Sequence, residues 1–213
     1  DRDAMTRVAW QGFAKTASGP FNSHVKFASD AVTKYPRDLD RAKTLLEESG
    51  YKGETIKLLP LPYGESWQRL AEMVRQNLIQ AGIKVETTGT DVAGWNQRTS
   101  EWDFDMALIY VYQYADPALG VSRTYTSQSI AKGSPFNNIE GNVNPKVDEL
   151  FDNAAKALSD ADRAKDYAEV QKLLTDEVPV AWLHEINFPT LYRTKIKNPI
   201  SSGVGLNDGL SRA

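Results

Sequence analysis

Residues 55–88 read as one strand–helix–strand unit, and this unit limits the fold more than any other stretch of the chain. The run TIKLLPL at 55–61 is short and apolar, and it stops at Pro62-Tyr63-Gly64. Over 65–81, Trp67, Leu70, Val74, Leu78 and Ala81 recur at helical spacing, and Gly82 supplies the stop. Residues 83–88, IKVETT, alternate apolar and polar as a half-buried strand does. A helix between two strands carries the chain back across one face of a sheet. The strands therefore run parallel, with a right-handed crossover. The fold class that follows is α/β, with a mixed, mostly parallel sheet flanked by helices.

The other segments fit that frame. Residues 3–14 read as a short helix weakened by Gly12, and 18–24 as a turn-rich loop. Asp38 caps a helix carrying Ala42, Leu45 and Leu46, which Gly50 ends. Asp91 caps a short helix carrying Trp95. The run FDMALIYVY at 104–112 is the most β-like in the chain and is predicted as the central strand. A long irregular stretch, 118–143, follows; loops of that length are usually functional or disordered. Asn144-Pro145 opens a helix with a Val147, Leu150, Phe151, Ala154 and Leu158 stripe. Ser159 opens another, running to about Glu177, with Asp162 completing a capping box. Residues 179–186 and 190–196 are predicted strands, and a Gly-rich tail ends the chain.

Composition excludes some functions. The 213 residues carry 28 acidic and 25 basic side chains, net −3, so no basic surplus exists to neutralise nucleic-acid phosphates. No apolar run approaches the ~20 residues of a membrane span. Cysteine is absent, which removes disulfides, thiolate metal sites and a Cys nucleophile. His24 and His184 are isolated, with no paired-ligand spacing. The glycines of the tail lack GxGxxG spacing, and neither a P-loop nor a GxSxG elbow is present. No catalytic residue, metal site or cofactor is expected.

The order of local patterns resembles the C-terminal lobe of a family 5 extracellular solute-binding protein, the receptor of peptide/nickel-type ABC importers. Asp1-Arg2-Asp3-Ala4-Met5 matches the opening motif, and Asp40 through Gly50-Tyr51 the capped helix that follows. Leu78-Ile79-Gln80-Ala81-Gly82-Ile83-Lys84-Val85, then Trp95 and Trp102 through Leu108, come next in family order. Asp116-Pro117, the Asn138–Leu150 element and the run from Asp160 through Arg163, Gln171, Leu174 and Pro179 to Leu183 complete the collinear match. The resemblance implies a type II periplasmic-binding-protein-like lobe. It implies that residues 1–213 form a single domain, cut from a two-lobed protein at its two hinge crossings. That also accounts for a chain that opens in mid-helix and closes in mid-strand. The implied function is capture of a small solute, peptide-like, sugar-like or a metal chelate, with delivery to a membrane permease, in the periplasm or as an extracytoplasmic lipoprotein, by a monomer.

Ligand contacts in such a clamp come from loops at the ends of strands facing the crevice. The first such loop holds Tyr63. The second holds Tyr112, Gln113, Tyr114 and Asp116, and Tyr110, Tyr112 and Tyr114 place three phenols within five residues. The competing reading is that Tyr110 and Tyr112 simply pack, and that Asp116 before Pro117 starts a turn. Phe136 and Asn137 in the long loop, and Trp182 on the late strand, are further candidates. Turn formation by the asparagines, and packing of Trp182 with a hydrogen-bonded His184, are the bland accounts. Peptide-binding relatives tend to carry an acidic residue where Gln113 stands and an Arg where Leu61 stands. An unpaired buried ammonium or carboxylate is costly, so a neutral solute, sugar-like or amide-rich, fits better than a dipeptide. An α/β hydrolytic enzyme and a receptor relative serving only protein interaction remain as alternatives.

Overall fold

The computed structural model describes residues 1–200 and residue 202. The Gly-rich tail and the expected mid-strand ending lie outside the described residues.

The strand–helix–strand unit forms as its periodicity requires. Strand β2 (Thr55–Leu59) leads through Gly64, at φ 94°, into helix α3 (Glu65–Gln80), and strand β3 (Lys84–Thr87) follows. The two strands pair in parallel, Thr55 opposite Lys84 through Leu58 opposite Thr87. Strand β4 (Met106–Ala107) pairs with β2 on its other side, also parallel, giving the order β3-β2-β4. The central strand is therefore β2, not the 104–112 run. Leu58 and Leu59 are sealed in the interior, whereas the ladder to β4 ends after Leu108 N–H donates to Leu59 O at 3.0 Å. Beyond that point the chain leaves the sheet, and its aromatic residues pack side chain to side chain instead.

Helix α1 (Arg2–Trp10) is shorter than the expected 3–14 helix. Gln11 at φ 50° and Gly12 at φ 88° turn the chain out of the helix. Residues Ala14–Thr16 become strand β1, which pairs antiparallel with β5 (His184–Ile186). The late strand is correspondingly three residues long rather than 179–186. No strand forms over 190–196; Leu191 is 96% exposed there, and alternation alone does not make a strand without a neighbour to pair.

Helix α2 (Leu39–Glu48) is capped by Asp38, which accepts from Arg41 N–H, and helix α4 (Val92–Glu101) by Asp91, which accepts from Gly94 N–H. One buried cluster unites α1, β2, α3, β3 and α4 around Trp10, Leu58, Leu59, Trp67, Leu70 and Trp95. A second lies between helices α6 (Pro145–Lys156) and α7 (Asp160–Glu177), with Val147, Phe151, Tyr167, Val170 and Leu174 at its centre. Leu158 falls outside the expected stripe and is fully exposed, because α6 ends at Lys156.

The long stretch before α6 has structure of its own. It holds a one-turn helix α5 (Ser122–Tyr125) and a 3-10 turn at Ser127–Ser129. Its organiser is the buried Asn138 amide. Nδ2 donates to Thr126 O (3.1 Å) and Asn142 O (2.8 Å), and Oδ1 accepts from Asn142 N–H. A single buried side chain thus supplies the hydrogen bonds that a loop backbone otherwise lacks.

Candidate ligand-binding site

The two loops predicted to face a cleft both leave the carboxyl edge of the parallel sheet, where open α/β sheets receive ligands. One follows β2 and carries Tyr63; the other follows β4 and carries Tyr110, Tyr112 and Tyr114. Their rings interlock. Trp10 meets Trp67 edge-on, with centroids 5.0 Å apart, and Trp67 stacks on Tyr110 at 5.5 Å. Tyr110 meets Tyr63 at 6.1 Å and Tyr112 at 5.5 Å, both edge-to-face. Tyr112 then lies nearly parallel to Tyr114, centroids 6.1 Å and planes 18° apart. Phe188 leans on Tyr110 and Tyr112. A run of rings thus leads from the core to the surface, where Tyr63, Tyr112 and Phe188 are 40%, 49% and 54% exposed.

The loop behind these rings is held from several sides. Gln113 Nε2 donates to Pro20 O at 2.7 Å, and its Oε1 accepts from Asn22 N–H at 2.7 Å. Lys26 N–H donates to Ala115 O, and Tyr114 N–H to Leu119 O. Asp116 accepts from Arg163 of α7 at 2.8 Å and from Ala118 N–H at 3.1 Å. Burial pushes the Asp116 carboxyl up, but these donors outweigh it and hold the group below its ordinary value. Gly120, at φ +96°, lies so close to the Tyr112 carbonyl that a Cβ there would stand 2.5 Å from the oxygen.

The structure thus gathers Tyr63, Tyr112 and Tyr114 on one wall. It engages the polar ends of Gln113 and Asp116 with the protein itself. The remaining candidates sit in other surroundings. Phe136 packs on Trp95 at 6.2 Å, and Asn137 takes part in a turn through its backbone. Trp182 donates from Nε1 to the Tyr125 hydroxyl at 2.8 Å, on the second cluster. His184 serves the first cluster instead: Nδ1 accepts from Trp10 Nε1, which leaves Nε2–H to donate to Arg2 O. Period two does not extend from His184 to Trp182, because β5 starts at His184. Leu61 is sealed in the core.

Two wall residues escape sequence reasoning. Tyr110, counted there among the three loop phenols but not named as a contact, is the hub of the rings, and burial together with the Tyr112 and Tyr63 hydroxyls pushes its phenol up to about 12. Phe188 reaches the wall only because β5 pairs with β1, and no local pattern announces that pairing. A depression of about 210 Å³ lined by Pro60, Pro62, Gln68 and Thr90 opens on the same sheet edge. A larger one, about 420 Å³, lies at the opposite edge, beside Thr55 and Lys84. Among the described residues no group of three or more His, Asp or Glu is placed to hold a metal ion.

Residues 1–133 match the model of the bacterial extracellular solute-binding proteins, family 5, middle region. The chain belongs to this family. As a family 5 chain it is 24% identical over 203 residues to the nickel-binding protein NikA of Staphylococcus aureus, covering 93% of this chain and 40% of that protein. It is 24% identical over 205 residues to the glutathione-binding protein GsiB of Pectobacterium atrosepticum, covering 86% and 36%. The family 5 chain therefore spans about 40% or less of the length of these relatives. Among solved structures, HbpA2 of Haemophilus parasuis superposes with a TM-score of 0.79 at 25% identity, covering 88% of this chain and 38% of that one. The ABC transporter substrate-binding protein CtaP of Listeria monocytogenes gives 0.78 at 24%, covering 87% and 38%. The fold class is that of these neighbours, α/β of the type II periplasmic-binding-protein kind.

Proposed function

We propose that this chain is one lobe of a two-lobed receptor that captures a small solute and hands it to an ABC permease. The observation that carries this reading is the tyrosine wall at the carboxyl edge of the sheet, where Tyr63 and Tyr112 remain substantially exposed. Large rings held in place yet uncovered mark a binding surface more often than a packing accident. The similarity to nickel-binding and glutathione-binding proteins supports the same reading.

Residues 1–213 act as a single domain. Pairing of β1 with β5 brings residues 14–16 beside 184–186, and Arg2 Nη1 donates to both Ala17 O and Trp182 O. The two outer parts of the chain thereby meet at one place, as a lobe joined by two crossings requires. Solute bound between the lobes shifts the population from open to closed, and the closed form is what the permease receives. The receptor works as a monomer, without nucleic acid, in the periplasm or as an extracytoplasmic lipoprotein, and performs no chemistry on its cargo. Tyr63, Tyr112 and Tyr114 touch the solute, while Gln113 and Asp116 hold their loop. Phe136, Asn137 and Trp182 are outer contacts at most.

Native mass spectrometry of the two-lobed protein, purified without refolding, tests this reading. A small molecule released on denaturation is the expected result. An empty protein that no peptide, sugar or chelate stabilises against heat would overturn it, since a ligand that binds only the folded state must stabilise it.

A further inference from the structure

We infer that the part of the solute docking on this wall is an uncharged aromatic ring, laid on the outer side of Tyr112 between Tyr63 and Phe188. This rests on the receptor reading and specifies the chemistry of that same site. The wall is a series of rings already in stacked and edge-to-face contact, from Trp67 through Tyr110 to Tyr112, and it ends in exposed faces. One more ring continues the series in either of the two geometries its pairs show, stacked or edge-to-face.

Spacing decides where that ring goes. A ring inserted between two parallel rings needs about 7 Å between their centres, twice a carbon contact of roughly 3.5 Å. Tyr112 and Tyr114 are 6.1 Å apart, so the ring lies outside the pair and not within it.

Polarity decides what the ring carries. The non-phenolic polar side chains of the loop are taken: the Gln113 amide by Pro20 and Asn22, the Asp116 carboxylate by Arg163. A charged group pressed on this wall would lose water, and the one carboxylate of the tyrosine loop, Asp116, is already paired with Arg163. A sugar would bring a rim of hydroxyls that need many directional partners, whereas the exposed tyrosines supply one hydroxyl each. An aromatic ring asks mainly for faces and edges, which are what the wall presents.

The test uses the two-lobed protein and three neutral-pH titrants, N-acetyl-L-tyrosinamide, cellobiose and zwitterionic dialanine, by isothermal titration calorimetry. N-acetyl-L-tyrosinamide is expected to bind best. Tyr112→Leu should weaken it about tenfold, the upper end of one aromatic pair, and Tyr112→Phe should leave it nearly unchanged. Preference for cellobiose or dialanine, no binding of N-acetyl-L-tyrosinamide, or an affinity indifferent to Tyr112→Leu overturns the inference. Native mass spectrometry separates the two failures. A released solute with no aromatic ring sinks this inference and leaves the receptor standing, whereas a protein that releases and binds nothing sinks both.

Discussion

Arg163 Nη2 donates a 2.8 Å hydrogen bond to Asp116 Oδ1, and this bond joins α7 to the loop that carries Tyr112 and Tyr114. Both side chains are mostly buried, so the pair is less screened than a surface ion pair. Asp116→Ala is expected to cost about 2 kcal/mol, by leaving a partly buried guanidinium without its partner. The folded carboxyl lies below its ordinary 3.8, so the stability it adds is complete above that value and is lost as pH falls through the lower folded value. Urea unfolding of wild type and Asp116→Ala at pH 7 and pH 2.5 checks this: the gap should narrow at the lower pH.

Gly120 is the backbone counterpart of that bond. Its positive φ and the 2.5 Å approach to the Tyr112 carbonyl leave no room for a side chain. Gly120→Ala should destabilise the fold by about 1–3 kcal/mol and displace the Tyr112 backbone. Thermal unfolding measures the first effect, and nuclear magnetic resonance shifts of the 110–120 amides the second. An unchanged melting temperature with unchanged shifts would mean that the loop is not held as described.

Gln113 offers a sharper discrimination. Its two amide ends bond Pro20 O and Asn22 N–H, so a clamp needs both a donor and an acceptor. Gln113→Glu turns the donor into a carboxylate facing a carbonyl and should cost about 1–3 kcal/mol. A variant as stable as wild type in chemical denaturation would show that the side chain is free to meet a solute.

Much of this was legible in the sequence, for local reasons. Asp38, Asp91, Asn144 and Ser159 cap helices where their spacing says they should, because a cap depends only on the next three residues. The βαβ unit was legible because its two periodicities change at Gly64 and Gly82. Helix ends at Trp10 and Lys156 were misjudged locally, but the larger errors are non-local. The central place of β2, the short β4 and the missing 190–196 strand depend on which strands find partners, and alternation does not encode that. Tyr112 and Tyr114 could be named as candidates from residue type alone. The turn at Asp116 was also legible, since Ala118 N–H is a local donor, but the Gln113 clamp and the Asp116–Arg163 pair were not, since those partners lie 93, 91 and 47 residues away.

Glu140 predicts a different pH response. Burial raises its carboxyl to about 7, against the smaller lowering by the Glu140 and Ile139 amides, and Oε1 is buried with no hydrogen-bond partner among the described residues. Folding therefore favours the protonated group. Its contribution is fully present below 4.5 and is lost as pH rises through about 7. Glu140→Gln should match wild type near pH 4 and exceed it by about 1–3 kcal/mol at pH 8. Denaturant midpoints at the two pH values decide it; equal gaps at both would refute the assignment.

The most direct measurement is a crystal structure of the proposed two-lobed protein with any solute retained through purification. The account predicts solute atoms within about 4 Å of the Tyr112 ring, with Tyr63 or Phe188 alongside. A solute enclosed in the cleft but in contact with none of these rings would contradict it.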